Sequence, residues 1–189
     1  MTLKDLVKEY DGKVRVVVKH MVVHPQQVQA AHLAACAAGK QGKFFPFYDA
    51  FWEKSFTPYA AARDPSKLSL EHIMSWAPSV GVDTAKLKTD MESPDCQKLI
   101  QNDMQELSKF QVNSTPTLFV NGIHVGGALP KEAFKQLIDE RLKVVEQSGV
   151  NPAEFYEKKV IGEGVQKFRS KAEAGGGGGG GGGHDGHGH

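Results

Sequence analysis

Apolar positions first recur at helical spacing, through Leu3, Leu6 and Val7, until Asp11-Gly12 breaks the pattern after Tyr10. The chain therefore opens inside a helix. Val14-Arg15-Val16-Val17-Val18-Lys19-His20 is rich in β-branched residues and bounded by turn signals, which predicts a mostly buried strand. After His24-Pro25, the alanine-dense stretch from about Gln26 to Ala38 predicts a helix stopped by Gly39. Phe44, Phe45, Phe47, Tyr48, Phe51, Trp52 and Phe56 follow on helical spacing, with Pro46 tolerable near the helix start.

Ser69 to Ser79, Asp83 to Met91 and Asp95 to Phe110 are expected as three further helices, the first two opened by capping Ser or Asp. Together they form a helical insertion. Thr117-Leu118-Phe119-Val120 predicts a second strand, and Asn121-Gly122 a tight turn that returns Ile123-His124-Val125 as its partner. An amphipathic helix from Pro130 to about Gln147, carrying Phe134, Leu137, Ile138 and Leu142, closes the domain. This divides the chain into a domain over residues 1–147, a helical extension over 148–174 that includes a weaker helix from Pro152 to Phe168, and a tail over 175–189. The unbroken glycine run Gly175 to Gly183 is read as a disordered tether.

Composition narrows the function classes. A length of 189 residues, 40% hydrophobic and 24% charged, suits one soluble globular domain with a sizeable core. A formal net charge of +1 and no dense Lys/Arg block argue against nucleic-acid binding. No apolar run approaches the roughly 20 residues of a membrane span, and the charged opening Met1 to Tyr10 is unlike a signal peptide. The compartment stays open.

The order of strand, helices, strand, Asn-Gly hairpin and helix suits the second half of a layered α/β fold. More specific is Val112-Asn113-Ser114-Thr115-Pro116-Thr117-Leu118-Phe119-Val120-Asn121-Gly122. It resembles the segment that DsbA-like thiol-disulfide oxidoreductases place beside their active site. Gly12 to His20 followed by His24-Pro25, then Gln41-Gly42-Lys43-Phe44, and Gly126-Gly127-Ala128-Leu129-Pro130 resemble the bacterial group also called thioredoxin-4. The likeness runs from about Leu3 to Leu142. It implies a thioredoxin-like α/β fold with a helical insertion, thiol-disulfide exchange on extended protein substrates, no organic cofactor, and a periplasmic or cell-envelope setting. Locally the sequence leaves the Thr115-Pro116 bond open between cis and trans. The resemblance implies cis, and makes Thr115 and Pro116 substrate contacts through backbone groups left outside the sheet.

The resemblance also implies a Cys-x-x-Cys at the start of the helix whose end is seen at Leu3 to Tyr10, just before Met1, and a central strand before that helix. This chain contains neither, so it is expected to be a truncated form of a longer protein, inactive in disulfide exchange. The alternative is a redox-inactive peptide-binding or chaperone-like module. Cys36 and Cys96 are the two cysteines, far apart, and are read as buried small apolar side chains; a structural disulfide is the runner-up, and a sensor role for Cys96 at a helix start the weakest. His184, His187 and His189 could weakly hold a divalent metal, against the plainer reading of a solvated tag. His20, His24, His32, His72 and His124 make no ligand pattern and are read as surface or satisfied histidines. The aromatic block is read as core, with a client-peptide groove as its alternative.

Overall fold

The structure, a computed structural model of the chain, describes residues 3–127 and 129–169. These divide into two compact units, one running to Ser108 and the other starting at Lys109. The first is helical. Its helices are α1 (Leu3–Glu9), α2 (Pro25–Lys40), α3 (Phe44–Phe51), α4 (Thr57–Ala62), α5 (Leu70–Trp76), α6 (Thr84–Glu92) and α7 (Pro94–Lys109). A π-helical turn over Trp52–Phe56 joins α3 to α4.

Small side chains make α2 the centre of this unit. Ala31, Ala34, Cys36, Ala37 and Ala38 are all buried, which lets α3 and α6 approach its backbone closely. The larger volumes come from the neighbours: Phe47 of α3, Ile73 and Trp76 of α5, and Leu87 and Met91 of α6. The Phe47 and Trp76 rings lie 5.0 Å apart. Trp76 satisfies its indole N–H on the buried Ser55 hydroxyl at 3.0 Å, so the ring enters the core without stranding a donor. Burying one such large side chain contributes about 1.5–3 kcal/mol. Helix starts follow their capping residues: the Ser69 hydroxyl accepts from the His72 N–H, and the Asp83 carboxylate from the Lys86 N–H.

Four expectations for this unit need correction. Val14 to His20 alternates between half-buried and exposed side chains, ending on buried His20, yet it forms no β-ladder among the described residues. Alternation sets which way side chains face, whereas a strand also needs a backbone partner in register. Here the His20 N–H goes instead to the Asp103 carboxylate at 2.9 Å, and the Val22 N–H to the Met104 sulfur at 3.2 Å. Gly39 does not stop α2. It sits inside the helix with Phe44 close by, and Gly42, at φ +70, makes the turn. The cysteines are joined as a disulfide rather than packed as thiols: Cys36 of α2 and Cys96 of α7 have Cα atoms 5.7 Å apart and are both buried. The aromatic block divides. Phe47 enters the core, while Phe44, Tyr48, Trp52, Phe56 and Tyr59 form a chain of ring contacts along one face, with Tyr48 and Trp52 exposed.

The second unit holds β1 (Thr117–Val120), β2 (Ile123–Gly126), α8 (Lys131–Gln147) and α9 (Pro152–Phe155). The strands pair antiparallel, with Val120 opposite Ile123, which leaves Asn121-Gly122 as a two-residue turn. Both turn residues have positive φ, 45° and 85°, as the tight hairpin turn of this twist requires. On α8, Phe134, Ile138 and Val145 share a buried face; Val125 and Phe155 are buried in the same unit. The helical extension is shorter than expected: α9 passes into a π-helical turn over Tyr156–Ile161 and stops. The glycine run and histidine tail lie outside the described residues.

Candidate functional site

The approach to β1 is a turn rather than regular structure. Gln111 takes positive φ at 55°, and Ser114, Thr115 and Pro116 are exposed. The Thr117 hydroxyl donates to the Ser114 carbonyl at 2.8 Å, folding the turn onto the strand start. The Gly127 N–H donates to the Pro116 carbonyl at 3.1 Å, extending the ladder one step past the Thr117–Gly126 pair. The Thr115–Pro116 peptide bond is cis. No hydrogen bond among the described residues engages Thr115.

Apolar surface is exposed along the hairpin. Phe119 is 43% exposed, with the Phe110 ring 6.0 Å away and the His124 ring 5.3 Å away, and Ile123, equally exposed, stands on the hairpin's other face beside the Asn121-Gly122 turn. A strand-like peptide needs hydrogen bonds for its main chain and apolar contact for alternate side chains. Of the predicted site residues, Thr115 and Pro116 are therefore adjacent and exposed in this turn. His184, His187 and His189 lie outside the described residues. Among the described residues, no group of three or more His, Cys, Asp or Glu side chains is placed to hold a metal.

The helical unit contains a polar cluster around buried His20 and Asp103 that residue spacing alone does not assemble. His20 and His32 face each other with their Nδ1 atoms 3.0 Å apart. The Lys19 ammonium bridges Asp103 at 3.2 Å and Glu106 at 2.6 Å. Burial pulls Lys19 down, but its hydrogen bonds to Glu106 and Asp103 outweigh this and hold it above the ordinary lysine value. Burial lowers His20, against the opposing pull of the Asp103 charge. Burial and then the charge of His20 push His32 down to about 4. A signal existed for Asp103: Cys96, Ile100 and Asp103 recur at helical core spacing, so the carboxylate occupies an inward position on α7. His20 continues the inward set Val14, Val16 and Val18 in the same way. Nothing in the spacing of Cys36 and Cys96 could have paired them.

A helical unit and a second unit holding an antiparallel hairpin, with an exposed threonine–proline turn at the hairpin's entry, make this a mixed α/β protein of thioredoxin type. The chain belongs to the thioredoxin family, whose model, described as Thioredoxin, matches residues 1–140. It is also 28% identical over 124 residues to a Na(+)/H(+) antiporter NhaA of Herminiimonas arsenicoxydans, a match that takes in 66% of this chain and 18% of the antiporter. No solved structure matches the chain. No helix among the described residues is long and apolar enough to cross a membrane.

Proposed function

We propose that this chain is a DsbA-like member of the family whose Ser114–Pro116 turn binds extended peptide segments, and that the chain by itself carries out no thiol-disulfide exchange. The observation that supports binding is the exposed Ser114–Pro116 turn at the entry to β1, a strand that also carries the exposed Phe119 ring. The redox half of the reading rests on the cysteines. Exchange requires an accessible thiolate and a neighbouring cysteine to resolve the mixed disulfide. Cys36 and Cys96 are the chain's two cysteines, and both are buried in the bond they share. They tie α2 to α7 and offer no attacking sulfur.

Two measurements test this. Thr115→Pro deletes the N–H, and affinity for an unstructured peptide is expected to fall about tenfold, the loss of roughly one backbone hydrogen bond. Thr115→Ala keeps the backbone and should bind like the parent. Equal affinity in all three proteins would refute the site. In an insulin-reduction assay the chain should give no turnover above buffer, and catalysis there would refute the redox assignment.

A further inference from the structure

Peptide binding does not use the histidine cluster, which has a chemistry of its own. His20 ends the extended segment that follows α1, and His32 lies within α2, so their Nδ1–Nδ1 contact at 3.0 Å ties two separate parts of the chain together. His20 is 6% exposed and His32 half-buried, with the Phe44 ring edge-on against His20. Water therefore makes a poor substitute for either ring's partner.

A contact between two Nδ1 atoms fixes the protonation rules. One ring must donate an Nδ1–H and the other must accept through a bare Nδ1. The first added proton goes to the far nitrogen, Nε2, of the donor ring. That ring becomes an imidazolium and the bond survives, now charge-assisted. The second proton has to enter at the acceptor Nδ1. It removes the acceptor and sets two cations face to face. We propose that the His20–His32 pair is an acid-sensitive latch, which holds the Val14–His20 segment on α2 while the two rings share at most one added proton and releases it when both are charged.

The surroundings decide which ring charges first. From α7 the Asp103 carboxylate faces His20 and accepts its backbone N–H at 2.9 Å, while Lys19 draws off part of that negative charge and pairs with Glu106 as well. From α3 the neighbour is the uncharged Phe44. His32 is faced by His20 itself. His20 is therefore the donor and the first to charge, and His32 the acceptor and the last. The depression of His32 to about 4, caused by burial and then by the His20 charge, agrees with that order.

The test follows histidine ring signals and the backbone amides of residues 14–22 by NMR in the full chain, as pH is lowered from about 7 to below 4. Two coupled histidine titrations are expected below the ordinary value, with the amides moving at the second. His32→Gln keeps an accepting oxygen but cannot take the last proton, so its amides should hold their positions through that range. Independent titration of both rings near 6.5, or release of the segment at the same pH in parent and variant, would overturn the latch. Should His32→Gln not fold, His20→Asn provides a second reading: its amide still donates to His32 but carries no charge, so the His32 titration should move up. An unmoved titration there would count against the proposal.

Discussion

The unit ending at Ser108 and the unit starting at Lys109 use their sequence in opposite ways. The first places an alanine-faced helix at its centre, surrounds it with Phe47, Ile73, Trp76 and Leu87, and ties α2 to α7 by a disulfide. The second buries few large side chains and leaves Phe119, Ile123 and the Ser114–Pro116 turn exposed. Stability is concentrated in the first, and the proposed recognition turn lies in the second. Substitutions that weaken the helical unit should therefore lower the unfolding midpoint while leaving peptide affinity of the folded chain intact, and substitutions in the turn should do the reverse.

The largest effect is expected from Phe47→Ala, which removes a ring that is 1% exposed and touches Trp76. A loss of about 3–5 kcal/mol in urea unfolding is expected. A loss below about 1 kcal/mol would mean that this core is not packed as described. Reducing the Cys36–Cys96 disulfide, or replacing both residues with alanine, comes next. It closes a loop with a sequence separation of 60, and its removal should cost about 2–4 kcal/mol. Unchanged stability would place the cross-link outside the folded core.

Acid should act on the helical unit before the hairpin. His20 and His32 are both held below the unfolded histidine value, His32 at about 4, so between about pH 6.5 and 4 the unfolded chain binds more protons than the folded one. The stability they contribute is present above the unfolded value and is lost as pH falls through that window. Urea midpoints against pH should decline there, and His32→Gln should flatten the decline. The smallest effect is expected at the hairpin. Gly122 has φ +85, which alanine adopts at a penalty of about 1 kcal/mol, so Gly122→Ala should loosen the β1–β2 turn without shifting the transition of the helical unit.

What could be read from the sequence also divides between the units. The hairpin was legible because Asn121-Gly122 is local chemistry: two residues that accept positive φ between two β-rich runs. The capped helices at Ser69 and Asp83 were legible for the same reason. Thr115 and Pro116 were located through resemblance, and the structure puts them in an exposed turn. Pairings that bridge long separations were not legible. Val14 to His20 has the periodicity of a strand, but whether its backbone finds a ladder depends on residues far away, and Asp103 takes one of its donors. The disulfide and the His20–His32 contact are of the same kind, since each depends on how α2 lies against its neighbours. The aromatic block was misjudged in part because helical spacing gives a ring its face without saying whether that face is covered.

Peptide recognition without a reactive cysteine is tested most directly by titrating an unstructured peptide into the full chain carrying Cys36→Ala and Cys96→Ala, with backbone amide shifts followed by NMR. The shifts should gather at residues 112–119, and the affinity should match that of the parent chain. Shifts confined to the helical unit, or binding abolished along with the cysteines, would contradict it.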